Sequence, residues 1–164
     1  MSSNKPTYSK YLQLNKILDS QKQLSNSLDK PIHDEMLFII IHQIYELWFK
    51  QIMHEIDSIL DYFSNPSIKE TNINTIVSRL ERIHNIQKIA INQIDILKST
   101  TPMDFLEFRD LLNPASGFQS TQFRIIENAL GLAKENRLKF SKHNYKDFLS
   151  KSGLEQAEKY ENNK

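Results

Sequence analysis

The sequence predicts an all-α fold, a helical bundle built on one long central helix. Apolar residues recur at three- and four-residue spacing through most of the chain, which is the period of a helix face. Only three glycines and five prolines interrupt the 164 residues, so turn signals are few and strands have little room. A chain of this length, 39% hydrophobic and 25% charged, is predicted to fold as a single domain over residues 1–164.

The first three helices are the longest that the pattern predicts. The first is predicted from about Tyr8 to Ser25. The second, from about Pro31 to Tyr62, has a proline in its first turn and should be the central helix. A third, from about Asn72 to Lys98 with Thr71 or Asn72 as its cap, carries a broad apolar stripe. It should pack antiparallel to the second.

Shorter elements follow the third helix. A fourth helix is predicted from Thr100 through Leu112, and a fifth from about Phe118 to Leu130, where Gly131 closes it. Beyond Gly131 the periodicity weakens, and Lys159 to Lys164 is expected to be a frayed polar tail.

Charge and composition argue against several classes of partner. The formal net charge of +1 gives no general reason to bind nucleic acid or an anionic membrane, and the basic stretch 134–151 lacks a reading motif and is expected to be a solvated face. No run approaches the roughly 18 apolar residues of a membrane span. The chain has no cysteine and no hydrophobic export segment, so we expect a cytoplasmic protein without disulfides.

The central helix has an aromatic face that contains a histidine. Phe38, His42, Tyr45 and Phe49 fall at i, i+4, i+7 and i+11 and therefore share one side. The other side is purely apolar and suits the bundle core; it consists of Leu37, Ile41, Ile44, Leu47 and Trp48. A helix with apolar residues on two sides is expected to be buried on both of those sides.

His42 has two interpretations that spacing alone does not separate. It could be a core histidine hydrogen-bonded to a neighbour. It could instead be a neutral imidazole in a dry pocket, able to ligate a metal or accept an N–H, which is what a haem or indole pocket needs. The other histidines, His33, His54, His84 and His143, form no convincing tetrahedral metal site.

A second group of candidate residues lies downstream. Arg109 follows Phe105 and Phe108, and it could be a surface arginine stacked on rings or a planar fork for a ligand carboxylate. Ser116-Gly117 offers a hydroxyl and close backbone approach to a polar ligand, or simply caps the helix that follows. Together the two groups suggest a site for an aromatic amino acid.

Three stretches, in this order, resemble the N-terminal half of the tryptophan 2,3-dioxygenase family. They are Tyr8-Ser9-Lys10-Tyr11-Leu12, His33-Asp34-Glu35 through Lys50, and Phe108-Arg109 with Pro114-Ala115-Ser116-Gly117-Phe118-Gln119-Ser120 through Arg124. The match is collinear from about Tyr8 to Phe148. Several long motifs in the right order make it highly specific.

The resemblance implies an activity, a cofactor and an assembly. It implies a haem iron enzyme of the kynurenine pathway that inserts both atoms of O2 across the C2–C3 bond of the indole of L-tryptophan, giving N-formylkynurenine. It also implies a homotetramer with exchanged N-terminal segments, in which Tyr8 and Tyr11 reach into a neighbouring subunit's pocket. Neither nucleic acid nor a membrane is implied as a partner.

The resemblance also assigns roles to the candidate residues. His42 would be the distal histidine that hydrogen-bonds the indole N–H, with Phe38 packed on the ring. Arg109 would bind the substrate carboxylate, and Ser116 and Gly117 would lie beside haem and substrate. The remaining substrate-binding residues that it implies are Ile39, Ile40, Ile41 and Phe105.

In this family the proximal histidine that ligates the iron lies in the C-terminal half, and no histidine here stands in that motif. We therefore expect a fragment, a split gene product or a truncated homologue whose activity needs the other half. The alternative is an inactive helical module that retains oligomerisation or weak tryptophan binding, or a remnant retaining only a core.

Overall fold

The computed structural model describes residues 5–137 and 144–162, and within those ranges every regular element is helical. The α-helices are α1 Tyr8–Leu12, α2 Leu14–Ile17, α3 Asp34–Phe63, α4 Glu70–Leu97, α5 Pro102–Arg109, α6 Thr121–Ala129 and α7 Lys151–Asn162. Short 3-10 turns lie at Leu24–Ser27, Asp110–Leu112, Gly117–Gln119, Lys134–Asn136 and Tyr145–Phe148. None of the helices in these ranges combines the length and the apolar character that a membrane-spanning helix needs.

Helix α3 is the central helix of the fold, as predicted. Its 30 residues extend about 45 Å. Helix α4 packs along it in the antiparallel sense, with the Tyr45 hydroxyl donating to the Ala90 carbonyl at 2.8 Å. The hydrophobic core between these helices and α6 is a layer of isoleucines: Ile52, Ile56, Ile59, Ile76, Ile83, Ile86 and Ile126.

A buried carboxylate joins the two long helices. Glu55 of α3 accepts a hydrogen bond from Arg82 of α4 at 2.7 Å and one from Gln51 at 2.6 Å, and Arg79 lies 3.8 Å from its second oxygen. Burial by itself raises the pKa of Glu55, but the hydrogen bonds and the Arg82 charge outweigh it and hold the pKa below its ordinary value.

Helix α6 packs against α3, and α7 packs against α6. Ile125 of α6 is buried with Tyr145 and Ala157, which joins α7 to the bundle. Gly153 permits this approach, since a Cβ there would lie 2.5 Å from the Thr121 hydroxyl oxygen. The prediction of a frayed polar tail from Lys159 is therefore wrong for the residues up to Asn162, because α7 extends to that residue. The Tyr160 hydroxyl donates to Asp57 at 2.5 Å.

The predicted first helix, Tyr8 to Ser25, is also wrong as a single element. Gln13 adopts a left-handed conformation, φ 53°, which separates α1 from α2. Neither short helix has a buried residue. Because helices in proteins are stabilised mainly by packing of an apolar face, nothing here favours one long helix over two short ones. The chain leaves α2 in irregular conformation before the 3-10 turn at Leu24–Ser27.

The other helix boundaries differ from the prediction by small amounts. Helix α3 begins at Asp34 rather than Pro31, and α4 begins at Glu70 with Lys69 as its N-cap, so the expected Thr71 or Asn72 cap is wrong. The predicted fourth and fifth helices each include a 3-10 turn. Gly131, with φ 75°, ends the α6 region as expected.

We expect the Glu55→Gln variant to be less stable by about 1.5–3 kcal/mol near neutral pH, the scale of a charge-assisted hydrogen bond in a buried site. The folded-state pKa of Glu55 is lowered, so its stabilising effect is present above the unfolded-state pKa, about 4.3, and is lost as pH falls through the folded-state value. Urea unfolding followed by circular dichroism, at about pH 7 and about pH 3, measures both effects.

The matched control is Glu81→Gln on the exposed surface of α4, which should change the free energy of unfolding by less than about 0.5 kcal/mol. The wild-type and Glu55→Gln proteins should approach each other in stability at the acidic pH. A stability difference that is independent of pH would contradict the assigned role of the Glu55 charge.

Candidate functional site

The imidazole of His42 is held by its own helix. Its Nδ1 lies 2.7 Å from the Phe38 carbonyl oxygen, one helical turn earlier. A carbonyl oxygen can only accept, so Nδ1 carries the proton and Nε2 of the neutral ring is the acceptor. Within the described residues Nε2 has no hydrogen-bond partner. The side chain is thus a fixed ring that presents one unused acceptor.

Phe38 connects His42 with the downstream candidate residues. Its ring centroid lies 4.1 Å from that of His42, 5.9 Å from Phe105 and 5.5 Å from Phe108. Phe108 is completely buried and meets Phe105 edge to face at 5.4 Å. Packing of α5 against α3 therefore joins Phe38 and His42 to Phe105 and Phe108 in one aromatic cluster.

His42 also lines an open groove of about 480 Å³. One wall is the end of α2 and the residues after it, represented by Ile17 and Ser20; His42 and Glu46 of α3 and Gln122 of α6 form the rest. Gln122 donates to the Glu46 carboxylate at 2.7 Å and to its carbonyl at 2.9 Å, which fixes the α6 side. His42 thus belongs to both the aromatic cluster and the groove.

Arg109 and the Ser116-Gly117 turn lie after the aromatic cluster in sequence. Arg109 is the last residue of α5, half-buried, and no carboxylate of the described ranges pairs with it. The Ser116 hydroxyl accepts from the Phe118 N–H at 3.3 Å, and the Ser116 N–H donates to Gln119 at 3.1 Å, so Ser116 does cap the turn. Nothing lies within 4 Å of where a Gly117 Cβ would be, which leaves this backbone open to approach.

The remaining candidates occupy different surroundings. Ile41 is 4% exposed and belongs to the interior, whereas Ile39 is half-buried and Ile40 is exposed. Tyr8 and Tyr11 of α1 are each 76% exposed. Basic residues Lys139 and Lys142, and His143, lie outside the described residues.

His42 is the one residue of the groove lining that was predicted as a site residue; Ser20, Glu46 and Gln122 are among those that were not. Glu46 stands one turn after His42, so helical spacing could have identified it. Gln122 comes from α6, and Ser20 from a segment predicted to be helical, so no spacing rule places either beside His42. Among the residues that the structure describes, no group of three or more histidine, aspartate or glutamate side chains could hold a metal ion.

The arrangement suits recognition of a flat ring that carries an N–H. The imidazole acceptor is fixed in direction by its Nδ1 hydrogen bond, and the phenylalanine rings beside it offer an apolar surface. An aromatic ligand that donated to Nε2 would therefore satisfy the one free hydrogen-bonding position of His42.

Comparison with known proteins finds relatives over nearly the whole chain. The tryptophan 2,3-dioxygenase of Anopheles gambiae is 51% identical over 89% of this chain and 37% of its own length. The tryptophan 2,3-dioxygenase of Dictyostelium discoideum is 50% identical over 94% of this chain and 39% of its own length. The tryptophan 2,3-dioxygenase of Alteromonas mediterranea is 46% identical over 94% of this chain and 43% of its own length.

The chain therefore spans between 37% and 43% of the length of these three relatives. The family model described as tryptophan 2,3-dioxygenase matches residues 1–164. Collinear identity at this level, together with the family match over the entire chain, shows that the chain belongs to the tryptophan 2,3-dioxygenase family.

Proposed function

We propose that this chain forms the substrate-binding side of a haem-dependent dioxygenase that converts L-tryptophan and O2 into N-formylkynurenine. The observation that carries the proposal is the His42 ring, fixed by the Phe38 carbonyl and left with a free Nε2 acceptor beside an aromatic cluster. Because the relatives are more than twice as long, the complete activity requires polypeptide beyond the part described by this chain.

His42 and the phenylalanines would orient the indole. Nε2 of His42 accepts the indole N–H, and its direction is fixed before substrate arrives because Nδ1 already donates to the backbone. Phe38 packs on the indole ring, and Phe105 lines the pocket beside it. Ile41 contributes through the interior packing of α3, while Ile39 and Ile40 extend the apolar lining.

Arg109 would recognise the carboxylate of the amino acid. Its guanidinium has no competing carboxylate in the described ranges, so its donors remain available for a ligand. A planar guanidinium can donate two parallel hydrogen bonds to a carboxylate, which a lysine cannot reproduce. The amino acid would then be held at both ends, by its indole N–H and by its carboxylate.

Ser116 and Gly117 are the residues of this chain that would lie beside a haem. Gly117 has open space at its backbone, and Ser116 beside it supplies a hydroxyl, which is compatible with close approach of a cofactor. Haem supplies the activation of O2 when bound, and this chain supplies orientation of the substrate and exclusion of water. The iron ligand would come from the polypeptide that completes the relatives' length.

The exposed tyrosines of α1 favour assembly into a homotetramer with exchanged N-terminal segments. Tyr8 and Tyr11 are too exposed to be explained by packing within one chain. In the proposed assembly they would cover the pocket of a neighbouring subunit.

Complementation tests the proposed function directly. The 164-residue chain is mixed or co-expressed with the polypeptide corresponding to the remaining length of the Dictyostelium discoideum relative. We expect stoichiometric histidine-ligated ferrous haem, seen in the Soret band with and without CO, and formation of N-formylkynurenine only when both are present. Tryptophan binding without turnover in the complemented, haem-loaded assembly would favour an inactive binding module.

In the active assembly, replacing His42 should reduce turnover without unfolding the protein. The asparagine side chain of His42→Asn places a polar group near the position of Nδ1 only. The longer glutamine side chain of His42→Gln places one near the position of Nε2, so the His42→Gln variant should keep more activity. The loss for Asn should be about 1–3 kcal/mol in kcat/KM, the cost of an unsatisfied donor in a dry site. Turnover and thermal midpoint are measured on the same samples.

The matched ligand control is 1-methyltryptophan, which lacks the indole N–H. Wild-type protein should discriminate against it, and the His42→Asn variant should discriminate much less. Equal losses with tryptophan and its methylated analogue, or a destabilised but fully active variant, would mean that His42 is a structural residue.

Arg109→Lys should lose most tryptophan recognition in the same assembly. The expected loss is roughly 2–4 kcal/mol in transition-state stabilisation, because a point charge replaces a paired set of hydrogen bonds. Tryptamine, which lacks the carboxylate, should be used equally poorly by wild type and variant. An unchanged kcat/KM for tryptophan would place Arg109 outside the substrate site.

A further inference from the structure

A buried carboxylate at the start of α3 binds the backbone of the segment that precedes it. Glu35 is 1% exposed, and its two oxygens accept from the Leu24 N–H at 2.7 Å and the Ser25 N–H at 2.9 Å. These amides belong to the 3-10 turn Leu24–Ser27, where backbone donors lack partners within the turn. The carboxylate therefore satisfies donors that would otherwise be buried without a partner.

The same segment is held at several neighbouring points. Ser25 is fully buried, and its hydroxyl oxygen accepts from the Ile32 N–H at 3.0 Å. Gln23 donates to the Ile32 carbonyl at 3.1 Å. Nearer the groove, Gln21 donates to Gln43 of α3 at 2.6 Å. Residues 20–28, which we call the connecting segment, are thus attached to α3 by polar bonds.

The connecting segment determines where one wall of the His42 groove lies. Ser20 begins the connecting segment, and Ile17 at the end of α2 precedes it; both line the same groove as His42. Helices α1 and α2 have no buried residue, so their own packing does not fix this wall. Its position follows from the bonds of the connecting segment, of which the Glu35 pair is the most buried.

We propose that Glu35 is a positioning residue for substrate: by binding the Leu24 and Ser25 amides, it fixes one wall of the groove that His42 also lines, and so sets the access of an indole ligand to that imidazole. The effect on substrate access, which we call the substrate part, rests on the proposed function. The placement of the groove wall by Glu35, which we call the positional role, rests on the geometry alone and is tested separately.

Other acidic or amide side chains would serve this purpose less well. Two parallel N–H donors need two acceptor oxygens, and a glutamine offers one oxygen and an NH2 group that faces the second donor. An aspartate keeps the charge but is one methylene shorter, so it should reach the two amides less well. Glu35→Gln and Glu35→Asp therefore form a graded pair of variants.

Accessibility of His42 is measured with diethyl pyrocarbonate on the 164-residue chain, with peptide mapping by mass spectrometry. His54 and His84 are exposed on α3 and α4 and serve as internal references. We expect the ratio of His42 to His84 modification rates to rise about tenfold in Glu35→Gln, the factor by which a lost charge-assisted hydrogen bond changes a local opening equilibrium. Glu35→Asp should give a smaller rise.

The matched control is Glu155→Gln on the exposed side of α7, which should leave the ratio unchanged. Amide hydrogen exchange should accelerate in residues 20–28 of Glu35→Gln and not in α4. Circular dichroism confirms that each variant is folded, and if Glu35→Gln is not helical the comparison uses Glu35→Asp. A folded variant with a lower thermal midpoint but an unchanged His42 to His84 ratio would overturn the positional role.

Steady-state kinetics of the complemented assembly test the substrate part. If the wall fixed by Glu35 guides the ligand, Glu35→Gln should raise KM for tryptophan several-fold more than it lowers kcat. A raised His42 ratio with unchanged KM would support the positional role and overturn the role in substrate access. If the wild-type assembly is inactive, the proposed function fails while the accessibility result remains valid.

Discussion

The isoleucine layer between α3 and α4 is the constraint on which the rest of the structure depends. β-Branched side chains with restricted rotamers fill the seam between two long antiparallel helices, and α6 adds Ile126 to it. The aromatic side of α3 takes part in the same packing, since the Tyr45 hydroxyl donates to the Ala90 carbonyl of α4 and Phe49 lies against the isoleucines. Phe38 and Phe49 also meet rings of α5 and α6. The packing that stabilises the bundle therefore also positions the aromatic residues of α3.

Within that frame, a single local hydrogen bond defines the chemistry of the site. The carbonyl of Phe38 lies where the i+4 side chain of its helix can reach it, so His42 takes the tautomer with a proton on Nδ1. This bond agrees with the interpretation of His42 as a histidine hydrogen-bonded to a neighbour, although the ring is half-buried. It uses Nδ1 only, and ligand binding at Nε2 stays a prediction.

Polar contacts, rather than apolar burial, attach the segment before α3. Helices α1 and α2 bury no residue, and Glu35, Ser25 and the Gln21–Gln43 pair replace a hydrophobic interface. Such an attachment depends on charge: hydrogen bonds from Ser25 and Leu24 offset the cost of burial and keep the pKa of Glu35 below its ordinary value. The groove beside His42 thus has one rigid wall of packed helix and one wall held by a buried carboxylate.

The sequence by itself determined the helical class, the long central helix and the antiparallel partner, because these follow from apolar periodicity and proline or glycine signals along the chain. It also identified the Phe38 and His42 side of α3 and, through long collinear motifs, the family. These properties are local, so a pattern of neighbours in sequence can specify them.

Only the tertiary structure decided the remaining features, because they depend on contacts between distant parts of the chain. The left-handed Gln13 divides a predicted helix in which no residue of α1 or α2 is buried. Glu35 reaches back to a turn ten residues earlier, and Gln122 reaches Glu46 from another helix. Tyr160 is part of a docked helix because it meets Asp57, a contact that no periodicity in α7 could reveal.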